Sequence, residues 1–260
     1  MRISSEYIST FQSCLDFTGN NLANINTPAF KEQLFSVKDI YKAQDRSTTD
    51  AQYGGVRATP NPILDPNRYG GDRYNFRPGS LEETGNPLDL AIKGEGFFQI
   101  RTTDGRLGYT RAGLFTIDGA GNLVNNEGLL LEPALRFPAG ACDIRINKDG
   151  SVTAKIQGEE DEATPVTIGE IRLYRFNNPQ GLEIRGHNIF LPTPESGAPL
   201  EGRAGEGGFG EILAGKLEKS NTDFVTAMTN MIEAQRAYQF DLRIIKQRDE
   251  IIQQTVGMRG

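Results

Sequence analysis

The chain has 260 residues, of which 24% are charged and 37% hydrophobic, and its formal net charge at pH 7 is −6. This acidic balance argues against a nucleic-acid-binding protein, which needs a basic surface to displace the counterions of the phosphates. No apolar run approaches the ~20 residues that cross a bilayer. The N-terminus also lacks the apolar core and the cleavage site of a standard signal peptide.

The N-terminal region, residues 1–43, is predicted to be helical and to carry a narrow apolar face. Its apolar residues recur at alternating spacings of three and four, with Thr18 as the polar exception, which is the pattern of a coiled-coil seam. The predicted seam residues of this helix are Ile8, Phe11, Leu15, Leu22 and Ile25. Most other positions are Ser, Thr, Asn, Gln or Gly, so the helix depends on packing rather than on its own propensity.

The end of this helix is predicted in residues 20–31, NNLANINTPAFK, where asparagines are followed by a Thr-Pro pair. Proline lacks a backbone donor and disfavours a helical conformation of the residue before it. The asparagine side chains can satisfy backbone groups at the helix end, or they can bond to neighbouring molecules in a polymer. The sequence is compatible with both roles.

The C-terminal region, residues 211–260, is predicted to contain one long helix with Ser220 as its N-cap and Asp223 three residues further on. Its apolar residues follow a spacing of four and three, which again indicates a coiled-coil seam. We expect this seam to pair with that of the N-terminal helix. The predicted seam residues of the C-terminal helix are Phe224, Met228, Met231, Tyr238, Leu242, Ile245, Ile252 and Val256.

A second apolar stripe lies on another face of the C-terminal helix, at Phe240, Ile244 and Ile251. If the seam is occupied by the N-terminal helix, this stripe has no obvious partner within the chain. An uncovered apolar stripe of this length indicates contact with other molecules. The alternative is a helix that is packed on two sides in a conventional core.

The central residues 81–210 are predicted to form short strands joined by turns. Asp-Gly pairs at residues 104–105, 118–119 and 149–150 separate apolar runs and favour hairpins. The run TIGEIRLYRFNN is predicted to be one longer strand. Residues 44–80, rich in Gly, Pro, Arg and Tyr, are predicted to be an extended linker. The predicted fold class is α+β, a β-rich central domain with N- and C-terminal helices that pair as a coiled coil.

The sequence offers no set of residues for catalysis, cofactor binding or metal binding. His187, the only histidine, stands before a predicted strand and is interpreted as a turn residue. KGEGFFQI lacks the third glycine of a dinucleotide fingerprint, and DGAGNLVNNEG departs from the spacing of a calcium loop. Cys14 and Cys142 are too few for a disulfide framework, and we expect two reduced thiols. We predict a protein that is not an enzyme and has no cofactor.

Three blocks of this sequence resemble the bacterial flagellar rod and hook proteins, the axial components of the hook–basal body. NNLANINTPAFK is similar to their N-terminal pattern A-N-x-x-T-x-G-[FY]-K, although Ala29 stands where the family has glycine. NPLDLAIKGEGFFQI with YTRAGLFTIDGAGNLVNNEG resembles their central signature, and LEKSNTDFVTAMTNMIEAQRAY resembles their C-terminal motif. The residues that match the N-terminal pattern are Ala23, Asn24, Thr27, Phe30 and Lys31.

The resemblance implies a structural subunit of the flagellar basal-body rod, which the flagellar export apparatus secretes and which assembles across the cell envelope. The terminal helices would form the inner wall of a hollow helical drive shaft that transmits torque to the hook, and the β-rich domain would form its outer layer. The implied partners are further copies of the chain, other rod proteins, the hook protein, and rod-surrounding rings where an outer membrane is present.

Within that family, the length and the region from IRINKDGSV to VTIGEIRLYRF are most similar to the distal rod members. A proximal rod protein is the alternative within the family. From a different class, the alternative is a β-domain that binds a carbohydrate or another ligand and carries helical arms for oligomerisation.

Overall fold

The computed structural model describes residues 2–34, 74–156 and 165–257. Two α-helices lie in these ranges, α1 at Arg2–Ala23 and α2 at Phe224–Gly257. The other described elements are short strands and one turn of 3-10 helix. The described part of the chain is therefore β-rich with a helix toward each end, as the sequence predicts.

The described residues fall into two units. The helical unit contains residues 2–25, 33–34 and 222–257. The β unit contains residues 26–32, 74–156 and 165–221. All the described strands lie in the β unit. They are β1 (Leu81–Glu83), β2 (Leu90–Lys93), β3 (Phe98–Arg101), β4 (Leu107–Thr110), β5 (Phe115–Ile117), β6 (Leu123–Asn125), β7 (Leu130–Glu132), β8 (Ala141–Ile146), β9 (Ser151–Ile156), β10 (Val166–Glu170), β11 (Arg172–Arg175), β12 (Glu183–Ile184), β13 (Phe190–Leu191), β14 (Leu200–Arg203), β15 (Glu211–Ala214) and β16 (Lys216–Glu218).

The described strands pair in antiparallel fashion. Seven of them form one sheet in the order β12-β13-β4-β3-β7-β6-β5, and three form a second sheet in the order β10-β9-β8. The others form the two-stranded ribbons β1-β16, β11-β14 and β2-β15. The β1-β16 ribbon joins the start of this strand-rich region to its end, since Leu81 lies opposite Glu218.

The segment that leads into and forms β3 supplies side chains to two hydrophobic clusters, which explains the adjacent phenylalanines in GFFQI. Phe98 and Ile100, both fully buried, belong to the larger cluster together with Leu131. Phe97, one residue before the strand, belongs to an aromatic cluster and lies 5.8 Å from Phe190 between ring centroids. Successive residues of extended backbone face opposite sides, so adjacent phenylalanines enter different clusters.

The Asp-Gly pairs lie in the loops that join β3 to β4, β5 to β6 and β8 to β9, and each of these strand pairs is antiparallel. Gly105 and Gly150 have φ angles of +76° and +88°, a left-handed conformation that glycine adopts without steric cost. The predicted hairpins are therefore confirmed.

The run TIGEIRLYRFNN forms two strands, and the prediction of one longer strand was wrong. β10 pairs with β9, whereas β11 pairs with β14 in a different ribbon. Ile171 separates them; it is fully buried and donates its N–H to the carbonyl oxygen of Gly150 at 2.8 Å. The apolar pattern continues across this point because both strands face hydrophobic neighbours, so the pattern alone does not reveal a change of partner.

Two predicted helical boundaries differ from the observed ones. β15 and β16 occupy positions 211–218, which the sequence pattern assigns to the C-terminal helical region. At the other end α1 stops at Ala23, and residues 26–32 belong to the β unit. Both segments are short and follow turns, so they show too few residues for a periodic pattern.

The predicted linker, residues 44–80, is only partly covered by the structure. Residues 44–73 lie outside the described part. Residues 74–80 belong to the β unit, where the ring centroid of Phe76 lies 5.7 Å from that of Phe97. The aromatic residues at the end of the predicted linker thus contribute to a hydrophobic cluster.

Candidate assembly interface

The helix α2 begins at Phe224, later than a cap at Ser220 would place it, and Asp223 is the N-cap residue. A carboxylate oxygen of Asp223 accepts hydrogen bonds from the backbone N–H of Thr226 at 2.9 Å and from the Thr226 hydroxyl at 2.5 Å. These bonds lower the pKa of the Asp223 carboxyl below its usual value. A negative charge at this end of a helix also interacts favourably with the helix dipole.

Within the helical unit, α1 and α2 contact each other. Their deeply buried residues are small or polar: Ala227 and Ala234 on α2 are 3% and 0% exposed, and Cys14, Thr18 and Asn21 on α1 are 2%, 6% and 6% exposed. Cys14, Asn21 and Ala227 each lie one position before a predicted seam residue, whereas Thr18 is itself a position of the predicted seam pattern. The sequence pattern gave most weight to large side chains, whereas small ones at the contact allow two helices to approach closely.

The predicted seam residues flank this buried centre. Phe224, at the start of α2, is 53% exposed. The side chains of Ile8, Phe11, Ile252 and Val256 lie outside the described part of the structure. The half-buried members of the predicted seam are Leu15, Leu22, Ile25, Met228, Met231, Tyr238, Leu242 and Ile245.

The second stripe is exposed. Phe240, Ile244 and Ile251 have 61%, 45% and 62% of their surface accessible. At about 100° per residue, the three lie within about 40° of one another around the helix axis and about 80–140° from the alanines at positions 227 and 234. The stripe therefore lies on a different face of α2 from the alanines that are most deeply buried.

The asparagines of NNLANINTPAFK hold the end of α1 to the residues that follow it. Asn21 pairs with the backbone of Gln33, donating to its carbonyl oxygen at 2.9 Å and accepting from its N–H at 2.9 Å. Asn20 donates to the Gln33 side chain at 3.1 Å, and Asn24 donates to the carbonyl oxygen of Asn20 at 2.9 Å. An amide side chain can replace a backbone partner in this way, so these asparagines act locally at the helix end.

The N-terminal motif residues divide into exposed and buried groups. Ala23 is exposed at the end of α1 and Asn24 is half-buried, whereas Phe30 and Lys31 are 7% and 1% exposed. The carbonyl oxygen of Thr27 accepts the N–H of Phe30 at 3.2 Å and closes the turn between the two groups.

Ala29, where the family has glycine, adopts the left-handed conformation with a φ of +56°. It is buried, and its N–H donates to the carbonyl oxygen of Glu218 at 2.7 Å. A side chain in this conformation costs roughly 1–2 kcal/mol relative to the right-handed region. The chain therefore keeps a glycine-like turn here despite the Cβ atom.

Lys31 belongs to a buried ionic cluster in the β unit. Its Nζ lies 2.5 Å from Oε1 of Glu218, and Nε of Arg111 lies 2.9 Å from Oε2 of the same carboxylate. The side chains of Lys31 and Glu218 are fully buried and that of Arg111 is 3% exposed. Lys31 also donates to the carbonyl oxygen of Arg77 at 2.9 Å, and the N–H of Gly79 donates to Glu218 Oε1 at 2.9 Å.

Arg111 also donates to three backbone carbonyl groups. Its guanidinium donates to the carbonyl oxygens of Gly96, Ile92 and Gly94 at 3.1, 3.2 and 3.0 Å. Burial alone would raise the pKa of the Glu218 carboxyl, but Arg111 and Lys31 outweigh it and hold this pKa below its usual value. The cluster is thus a carboxylate held between two cations.

Asn221 joins three separate segments of the β unit. Its Oδ1 accepts the N–H of Glu32 at 2.8 Å, and its Nδ2 donates to the carbonyl oxygens of Asn75 and Arg77 at 2.5 and 2.9 Å. These bonds lie beside the Lys31–Glu218 pair. The motif LEKSNTDF therefore supplies both the carboxylate of Glu218 and the amide of Asn221, which bind the N-terminal motif and the residue that follows it.

The sequence reasoning missed Arg111, Glu218 and Asn221. All three lie in blocks that resemble the family, Arg111 in YTRAGLF and Glu218 and Asn221 in LEKSNTDF, but none of them was singled out. A signal did exist, since polar residues at fixed places in a motif often have buried partners. Nothing in one sequence shows which of them meet.

The described residues contain no group of three or more His, Cys, Asp or Glu side chains arranged to hold a metal ion. His187 has a φ of +52° and stands in a turn, with Nδ1 2.6 Å from a carboxylate oxygen of Glu127. Burial raises the pKa of the Cys14 thiol to about 11, whereas Cys142 is exposed. In the described part of the chain, neither helix is long and apolar enough to span a membrane.

Comparison with known proteins identifies the family. The profile of the flagellar hook protein FlgE/F/G D1 domain matches residues 91–154, and that of the flagellar basal body rod FlgEFG protein C-terminal region matches residues 213–258. The flagellar basal-body rod protein FlgG of Caulobacter vibrioides is 35% identical over 262 residues, covering 100% of this chain and 99% of the relative. FlgG of Bacillus subtilis is 34% identical over 260 residues, covering 97% and 96%.

The chain belongs to the FlgG family of flagellar basal-body rod proteins. The flagellar hook protein FlgE of Salmonella typhimurium is also similar, with 38% identity over 122 residues, which is 47% of this chain and 29% of the relative. The resemblance to flagellar rod and hook proteins is confirmed, with FlgG as the distal rod protein. The chain is accordingly a structural subunit of the flagellar basal-body rod. The ligand-binding alternative has no support in these comparisons.

Proposed function

We propose that this chain polymerises through its terminal helices into a hollow helical shaft that transmits torque from the motor to the hook. The observation that carries the proposal is the second stripe, with Phe240, Ile244 and Ile251 between 45% and 62% exposed. Large apolar side chains exposed on one face of a helix stabilise a complex when another molecule covers them and removes their surface from water. A second copy of the chain is the occupant that a rod subunit requires.

The contact between α1 and α2 supports a coiled coil as the unit that polymerises. Half-buried Met231, Tyr238 and Leu242 flank the buried alanines of α2, where a seam would place its larger side chains. With the seam used inside the molecule, the second stripe is left for contacts between copies. Such contacts join different surfaces of two copies and do not close on themselves, so they build a helical filament.

The further partners follow from the family. As a rod subunit, the chain would meet other rod proteins along the shaft and the hook protein at its end. Rod-surrounding rings would be partners where the cell has an outer membrane, and the flagellar export apparatus would deliver the chain. The function is mechanical, so no catalytic step and no cofactor belong to this proposal.

The experiment compares Ile244→Asp with Gln239→Asp, since Gln239 is an exposed neighbour on α2 outside both the seam and the second stripe. Each variant is produced in a strain from which the chain's own gene has been deleted, and rods are counted by electron microscopy of isolated basal bodies. We expect Ile244→Asp to abolish rods and swimming, because each subunit contact would bury a charge. Gln239→Asp should assemble normally. Normal rods from Ile244→Asp would contradict the proposal.

A further inference from the structure

The three charged groups of the buried cluster depend on one another unequally. If Lys31 is removed, the Glu218 carboxylate keeps Arg111 at 2.9 Å and the N–H of Gly79 at 2.9 Å. If Glu218 is removed, Lys31 keeps one carbonyl oxygen, that of Arg77, and its buried ammonium shares the site with the Arg111 guanidinium. Removing one partner of a buried ion pair leaves an uncompensated charge, which is strongly destabilising.

Two further bonds of the N-terminal segment, residues 26–32, also reach residues near the C-terminal end. Ala29 donates its N–H to the carbonyl oxygen of Glu218, and Glu32 donates its N–H to the side chain of Asn221. Lys31 and Glu218 are 187 positions apart in the chain. The segment therefore depends on residues near the C-terminal end, although Pro28 and Glu32 are also bonded by Asn188 and Asn75.

The strand that carries Glu218 has partners of its own. β16 pairs with β1, and the N–H of Lys219 donates to the carbonyl oxygen of Ser80 at 2.8 Å. Neither of these contacts involves the N-terminal segment. β16 can therefore pair with β1 before the segment binds. If the segment bound first, the Lys31 ammonium and the Arg111 guanidinium would be buried without the Glu218 carboxylate.

We propose that Glu218 is a latch residue that sets the order of folding: β16 closes first, and only then is the N-terminal segment bound. The segment binds last and is released first. A chain whose C-terminal part has not yet arrived has no site for Lys31, so its N-terminal motif stays unbound until nearly the whole chain is present. This order is built into the fold and does not depend on polymerisation.

The test is native-state amide hydrogen exchange, read by mass spectrometry, on the full chain and three variants. Lys31→Met should speed exchange in residues 26–32 and leave the amides of the β1-β16 ribbon and of the adjacent Lys219 within about twofold of the parent. Glu218→Gln should speed exchange in the segment at least 100-fold and should also speed exchange of the β1-β16 amides. The matched control is Lys216→Met, which removes the exposed pair of Lys216 with Glu83 in the same ribbon and should change neither region.

The double variant Lys31→Met with Glu218→Gln separates a latch from a simple loss of contacts. We expect its segment to exchange about tenfold more slowly than in Glu218→Gln alone, because the second change removes the unpaired cation. Equal or faster exchange in the double variant would overturn the proposal. Faster exchange of the β1-β16 amides in Lys31→Met would also overturn it. So would faster exchange of the amides of β3, β4 and β7 in Glu218→Gln.

Discussion

The β unit and the helix α2 differ in how far their large apolar side chains are exposed to solvent. Phe98, Ile100 and Leu131 of the β unit are fully buried, whereas Phe240 and Ile251 of α2 are more than 60% exposed. Burying a side chain of this size contributes about 1.5–3 kcal/mol. The β unit gains that free energy within one molecule. On the proposal above, the exposed apolar surface of α2 gains it from a neighbouring copy.

The first test of this difference is a substitution in the core of the β unit. Phe98→Ala removes a fully buried ring that stacks edge-on against Phe115 at 5.3 Å, and it should lower the free energy of unfolding of the β unit by about 3–5 kcal/mol. Chemical denaturation followed by circular dichroism measures this loss. Leu107→Ala, at a side chain that is 43% exposed on the neighbouring strand, is the control and should cost less than about 1 kcal/mol. Similar losses for both variants would show that the core is not where the stability lies.

A smaller effect on the monomer is expected from the helical side. Replacing Ile245 or Leu242, both half-buried members of the predicted seam, with Asp should abolish assembly and leave the denaturation of the β unit unchanged within about 0.5 kcal/mol. Sedimentation of assembled material gives the first result and denaturation gives the second. Normal rods from either variant would refute the seam assignment, and a destabilised β unit would show that the two units fold as one.

The sequence predicted those features that depend on neighbouring residues. Asp-Gly pairs mark hairpins because glycine is needed at one turn position, and this holds for Gly105 and Gly150. The second stripe of α2 follows from helical spacing alone, and the structure shows its side chains exposed. The central position of Ala234 in the buried face of α2 was missed, because a pattern based on apolar bulk passes over alanine.

Features that join distant parts of the chain could not be predicted. Lys31 and Glu218 meet across 187 positions, and Arg111 reaches the same carboxylate from the middle of the chain. A lysine in a polar motif has the same appearance whether it lies in solvent or in a buried pair. The left-handed backbone of Ala29 was not evident either, since alanine avoids that conformation unless the surrounding contacts impose it.

The most direct measurement is amide hydrogen exchange of α2 in the purified monomer and again in the assembled rod. The account predicts that in the monomer α2 exchanges at least 100-fold faster than β3, β4 and β7, and that on assembly its exchange slows toward theirs while the β strands change little. If α2 of the monomer is already as protected as those strands, or if assembly leaves its exchange unchanged, then the helix does not draw its stability from neighbouring copies and the central claim is contradicted.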